Sequence, residues 1–206
     1  MSAPKVACTS IKTALFELEN GFEFTPFHAN GIYRHIHDMV VYPAIPFKRI
    51  PLQDLEGYLK ITMVREPVSR FLSAYSNRVV YYKELSKDHI GPGAEENGVP
   101  VNPSLQDFVL HLEIYRKLSE PIRLHTDPLC TFLGRNASFY DRVFGLREMK
   151  EFDRTISERV GRTYSTPHLQ TGGPKLTESD LLPTESKKIR EFYAIDYDRY
   201  GRWFQL

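Results

Sequence analysis

Apolar positions recur along this chain with two periods. Ile11, Ala14, Leu15 and Leu18 fall on one helical face, and Asn20-Gly21 supplies a left-handed stop, so a first helix is expected at about 10–19. FEFTPFH (22–28) reads as a strand up to Pro26. YLKITMV (58–64) is apolar at its end and is stopped by Glu66-Pro67, which predicts a buried strand. A second helix is expected at about 67–84, with Pro67 in its first turn and Val68, Phe71, Leu72, Tyr75 and Val79 as its buried stripe. Leu105, Phe108, Val109, Leu112 and Tyr115 place a third at about 104–118. SFYDRVFGL (138–146) reads as a strand and REMKEFDRTISERV (147–160) as a helix, and a last helical region is expected at about 178–200, ending at Gly201. Residues 86–104, rich in Gly, Pro and polar groups, read as a long loop, and 161–176, with Gly172-Gly173-Pro174, as a second.

Strands alternating with helices predict an α/β architecture with a mostly parallel sheet. There is no internal repeat. The 206 residues fit one domain spanning 1–206, long enough to bury roughly 70% of its unfolded surface.

Composition narrows the function. A net charge of +1 gives no general field to recruit nucleic acid or anionic lipid, so anion binding must come from local clusters. Cys8 and Cys130 are too few for a disulfide scaffold, and no Cys/His spacing suggests zinc, so no metal is expected. No apolar run approaches the ~18 residues of a membrane span, and the start lacks the charged and apolar regions of a signal peptide. The expected location is cytoplasmic, or the Golgi lumen if an anchor has been removed. Asn136-Ala-Ser138 fits the glycosylation sequon, which matters only in a secretory compartment.

Two clusters carry candidate chemistry. PKVACTSIK (4–12) leads straight into the first helix. A helix start has unpaired N–H groups and a partial positive charge, and so favours phosphate. Thr9, Ser10 and Thr13 add hydroxyls, and Lys5 and Lys12 add charge. The nucleotide loop GxxxxGK[ST] is absent, which disfavours an ordinary ATPase. The second cluster is VREPVSRFLSAYSNR (64–78): Arg65 sits at the end of a predicted strand, where ligands of open α/β sheets bind, and Ser73, Arg70, Asn77 and Arg78 follow. A guanidinium fork suits a phosphate. Taken singly, the first cluster also suits a capped helix with surface lysines, and the second a solvated basic helix face.

Together, in this order, the clusters resemble the carbohydrate sulfotransferases. PKVACTSIK is similar to their 5′-phosphosulfate loop, and VREPVSRFLSAY, with Arg65 and Ser73 eight residues apart, to their 3′-phosphate motif. HTDPLC (125–130), FYDRVFGLREMKEF (139–152), PHLQTGGPKL (167–176) and EFYAIDYDRYGRWF (191–204) resemble later parts of the same enzymes. The resemblance implies a P-loop-like, three-layer α/β/α fold with a central, mostly parallel sheet. It implies transfer of a sulfuryl group from 3′-phosphoadenosine 5′-phosphosulfate (PAPS) to a sugar hydroxyl. It puts Lys5 at the bridging oxygen, the backbone amides and hydroxyls of Cys8, Thr9, Ser10, Ile11, Lys12 and Thr13 around the 5′-phosphate, and Arg65 and Ser73 on the 3′-phosphate. His168 and Lys175, in the stretch resembling a closing loop, are further candidate nucleotide contacts. The residue types agree with the chemistry, which needs in-line positioning and positive charge at the leaving group.

The acceptor hydroxyl must lose a proton, and YRHIHDM (33–39) holds the best local bases. In extended chain, alternation puts His35 and His37 on one side, and histidine titrates near neutral pH. The pair resembles the His-x-His of the uronyl 2-O-sulfotransferases, while other branches of the family use a glutamate, so His35 and His37 both stay open. Arg34 is a candidate contact for an acidic acceptor; His125 is a lesser candidate base. Cys8 is read as a small packing residue, Phe192, Tyr193, Tyr197 and Tyr200 as core, and Glu17 and Glu19 as surface charges.

One departure stands out. The family carries a buried apolar strand directly before Pro-Lys, and Met1-Ser2-Ala3 is too short for one, so the first strand is expected to be truncated. A catalytically degenerate nucleotide- or glycan-binding relative, or a P-loop-like small-molecule kinase, are the competing readings. The kinase reading is weakened by the missing GxxxxGK[ST] and the lack of an evident magnesium carboxylate.

Overall fold

The computed structural model describes residues 3–39, 42, 44–169 and 172–204. In chain order its elements are α1 (Cys8–Asn20), the hairpin strands β1 (Phe27–Ala29) and β2 (Ile32–Arg34), β3 (Ile61–Val64), α2 (Pro67–Ala74), α3 (Lys87–Glu96), α4 (Leu105–Leu110), α5 (Leu112–Leu118), α6 (Glu120–Thr126), α7 (Leu129–Leu133), β4 (Arg142–Gly145), α8 (Met149–Val160), α9 (Pro183–Phe192) and α10 (Ala194–Tyr200). The chain divides into two compact units, Met1–Val64 with Phe132–Gln170, and Arg65–Thr131 with Thr171–Leu206. No helix among the described residues is long and apolar enough to cross a membrane.

In the first unit β3 and β4 pair in parallel, with Ile61 opposite Arg142 and Val64 opposite Gly145. Three of the four β3 residues are buried, as expected for a strand covered on both faces. Ile11 and Ala14 of α1 and Phe152 and Ile156 of α8 pack with Met63 and Phe144 of these strands. This mixed α/β arrangement with a parallel pair agrees with the expected class. α1 stops at Gly21, whose φ of 78° lets its N–H return to Glu17 O. Met1 and Ser2, which carry the expectation of a truncated first strand, lie outside the described residues.

The expected strand at 22–28 is corrected. Residues 22–26 form no strand; β1 and β2 pair antiparallel across Asn30-Gly31, with φ of 53° and 74°. That dipeptide, with both residues left-handed, is the preferred two-residue hairpin turn, and it is the signal that the strand reading overlooked.

The second unit is helical, with one core in which Phe71, Leu72, Phe108, Tyr115, Ile122 and Tyr193 are almost fully buried. The expected helix at 67–84 begins as predicted: Pro67 sits in the first turn and the Glu66 carboxylate caps Ser69 N–H. From Tyr75 to Tyr81 it widens into a π-helix, in which Tyr82 N–H reaches Asn77 O. The single helix expected at 104–118 breaks at His111, and the one at 178–200 at Tyr193, both residues leaving helical backbone angles.

The loop expected at 86–104 is also corrected: its first half is α3, although it contains Gly91, Pro92 and Gly93. Tertiary packing overrides propensity here. Ile90 and Ala94 are buried in the core, and Gly93 lies so close to α5 that a Cβ would sit 2.6 Å from Leu118 Cδ2.

The Gly172-Gly173-Pro174 stretch lies against the π-helix. Ser76 Oγ donates to Pro174 O at 2.5 Å, and Gly173, at φ 102°, would bring a Cβ to 2.3 Å from Ser76 O. Gly173→Ala should therefore destabilise the protein by about 1–3 kcal/mol, a fall in Tm on the order of 2–4 °C per kcal/mol for a chain of this size, read by thermal denaturation.

Candidate active site

The start of α1 is built on strained backbone. Lys5 and Ala7 both have positive φ, 66° and 60°. Neither is glycine, and each such residue costs about 1–2 kcal/mol. Ala7 is the N-cap and offers no side-chain cap, while its carbonyl already accepts from Ile11 N–H at 3.0 Å. The first-turn N–H groups of Cys8, Thr9 and Ser10 thus lack intrahelical partners. Left-handed residues that turn successive N–H groups to one side form the concavities in which anions are bound. Ile11 has a different part: its N–H is spent on Ala7 and its side chain is in the core.

Lys5, Ser10, Lys12 and Thr13 are all buried, with 5–8% of their surface exposed. Ser10 Oγ accepts from Leu169 N–H at 3.2 Å, which holds the neighbour of His168 at this helix start. His168 itself is exposed. Burial holds the Lys12 ammonium below its ordinary range, with the nearby Cys8 acting in the opposite sense.

The two histidines meet this turn, though not by the extended alternation expected of them. His35 is extended and caps a short 3-10 turn over Ile36–Asp38; its N–H donates to Asp38 Oδ2 at 2.7 Å. Ile36 is buried with Phe24 and Tyr42, which anchors the turn. The rings of His35 and His37 stack at 5.2 Å. His37 Nε2 lies 2.9 Å from Thr9 Oγ1 and 3.9 Å from Cys8 Sγ, and its Nδ1 lies 2.9 Å from Lys12 Nζ. Burial holds His35 below the usual histidine range; Asp38 opposes this and Lys12 adds to it. Residues 8–12 and 35–37, singled out separately in the sequence, are thus one cluster. Their contact could not be read from periodicity, because it depends on where the buried Ile36 seats the turn. Glu19, read as a surface charge, accepts a hydrogen bond from Tyr42 OH.

In the second unit Arg65 follows the last residue of β3 in the chain, and burial and the neighbouring Arg70 charge depress its guanidinium below the ordinary range against the pull of Glu66. Ser73 is half-buried on α2. The basic-face reading of this stretch is corrected for Arg70, which is fully buried, donates to Asp127 O at 2.5 Å and His125 O at 3.4 Å, and lies 5.1 Å from the Tyr193 ring. A guanidinium spent on carbonyls is structural. His125 is not a suitable base: its Nδ1 sits 2.7 Å from Pro121 O, an acceptor only, so Nε2 is left to accept from Arg78 at 3.1 Å. Lys175 is exposed. Sequence reasoning missed Asp196, fully buried and accepting from Leu129 N–H and Cys130 N–H at 2.7 and 3.0 Å, and Asp127, paired with Arg116 at 2.8 Å.

A family model described as "Sulfotransferase family" matches residues 2–203. No curated protein and no solved structure matches the chain. The chain belongs to the sulfotransferase family, and that membership supports sulfuryl transfer as its general chemistry.

Relieving the strain at the helix start tests the backbone reading. Ala7→Gly should raise stability by about 1 kcal/mol, because glycine adopts this left-handed conformation without a Cβ penalty. A thermal melt that moves downward would contradict it.

Proposed function

We propose that this protein is a PAPS-dependent sulfotransferase that acts on a carbohydrate hydroxyl, with residues 1–206 as one sulfotransferase domain of P-loop-like, three-layer type. The observation that carries the reading is the start of α1: uncapped N–H groups, two left-handed residues, and the ammonium groups of Lys5 and Lys12 in a largely buried setting. A buried ammonium is costly without an anion nearby. For Lys12 the only hydrogen-bond partner among the described residues is the His37 ring. These residues fit the phosphosulfate end of PAPS, which supplies the sulfuryl group when bound.

In this reading the N–H groups of residues 8–10, with the hydroxyls of Thr9, Ser10 and Thr13, hold the 5′-phosphate. Lys5 neutralises the charge that develops on the leaving oxygen. Arg65 and Ser73 take the 3′-phosphate, with His168 and Lys175 as further nucleotide contacts. His35 or His37 removes the acceptor proton, and burial favours the neutral form of the His35 ring that a base requires. The carbohydrate acceptor rests on the likeness of PKVACTSIK and His-x-His to enzymes of that substrate class; Arg34 suits an acidic sugar. No metal enters the reaction.

Calorimetry with adenosine 3′,5′-bisphosphate is the direct test. Binding at least about tenfold tighter than AMP is expected, one charged hydrogen bond being worth about 1.5–3 kcal/mol. Equal binding of the two, or none, would refute the donor assignment. Lys5→Ala should abolish transfer while lowering bisphosphate affinity only modestly; a variant with full turnover would remove Lys5 from the leaving-group role. Arg65→Ala should weaken the bisphosphate by about 1.5–3 kcal/mol and leave AMP nearly unaffected.

A further inference from the structure

The contacts of His37 with α1 decide which of its ring nitrogens accepts a hydrogen bond, and this follows from hydrogen-bond chemistry. Lys12 Nζ lies 2.9 Å from His37 Nδ1. An ammonium has three protons to donate and no lone pair, so Nδ1 must be the acceptor. In the neutral ring the proton then sits on Nε2, 2.9 Å from Thr9 Oγ1, which accepts it. The one lone pair of the imidazole is therefore occupied by Lys12. Lys12 as a residue is 5% exposed, and its ammonium has this neutral ring as its only hydrogen-bond partner among the described residues, one turn into a helix whose first N–H groups are uncapped.

We propose that Lys12 is a positioning residue that couples donor binding to the base. An anion bound at the start of α1 draws the Lys12 ammonium to itself and releases the Nδ1 lone pair of His37. An acceptor hydroxyl can then pass its proton to Nδ1: the O–H bond breaks, an N–H bond forms, and the ring becomes an imidazolium that later returns the proton to solvent. Without donor the lone pair stays blocked. Proton abstraction is thereby tied to the presence of the group to be transferred. Because the rings stack at 5.2 Å, His35 restrains the ring plane while Lys12 moves. This inference rests on the donor reading above and assigns the base to His37 rather than His35.

The test is nitrogen-15 NMR of the histidine rings, alongside calorimetry. In the free protein His37 should show the Nε2–H tautomer with its Nδ1 signal displaced by the hydrogen bond. Saturating adenosine 3′,5′-bisphosphate should move that signal to the position of an unshared lone pair. Lys12→Met, which puts an apolar side chain of similar length beside Leu15 and Met63, should show that position without nucleotide. An unmoved ring signal with nucleotide bound in the calorimeter overturns the coupling and leaves the donor reading standing. A Lys12→Met ring signal identical to that of the unsubstituted protein overturns the contact itself. If the bisphosphate does not bind, the donor reading falls and the coupling with it. The titration uses the unsubstituted chain, so it decides the matter even if Lys12→Met fails to fold.

Discussion

The contact between the Lys12 ammonium and the His37 ring is where the chemistry of the first unit converges. It joins α1, one turn in from its start, to a segment 25 residues further along the chain. It works because each side is fixed independently. Ile11 and Ala14 bury α1 against β3, β4 and α8, and Ile36 buries the histidine turn with Phe24 and Tyr42. Polar groups on two anchored elements then meet at hydrogen-bond distance without a large entropic cost of ordering. A buried cation beside a neutral ring is costly to desolvate, and strained backbone at Lys5 and Ala7 persists only where its surroundings enforce it.

The second unit follows a different logic. Its charges are mostly consumed by structure. Arg70 ties carbonyls of the α6 end, Asp196 caps the start of α7, and Arg116 and Arg123 share Asp127. Buried charges of this kind must be paired, and each carbonyl or carboxylate that satisfies one also fixes the angle of a helix. Burial and the positive charge of Arg70 beside it reduce the proton affinity of Arg65 against the pull of Glu66. A guanidinium placed next to a like charge favours an anionic ligand.

How much was legible depended on how local each cause is. The helices α1 and α8, the strands β3 and β4, and the apolar stripes of α2 and of α4 with α5 follow from spacing alone, because side-chain period is set by backbone geometry. The Asn30-Gly31 hairpin is equally local, its turn being carried by two residues with left-handed angles. The helix through Gly91-Pro92-Gly93 was not local: its propensity opposes it, and it forms because Gly93 admits Leu118. The π-helix at Tyr75–Tyr81 likewise has no signature in the stripe that it continues.

The sequence by itself determined the family, the helices and strands with a clear apolar period, and the residue types that gather at the start of α1. Those features reside in short motifs and in periodicities that any fold of the chain must respect. Only the tertiary structure decided which of the basic residues are spent on the protein's own carbonyls and which meet a side chain from a distant segment, as Arg70 and Lys12 illustrate. Burial and partner geometry make that division, and both depend on residues far apart in the chain. The same holds for His37, whose lone pair is occupied because Lys12 lies 2.9 Å away, a distance that no spacing along the sequence encodes.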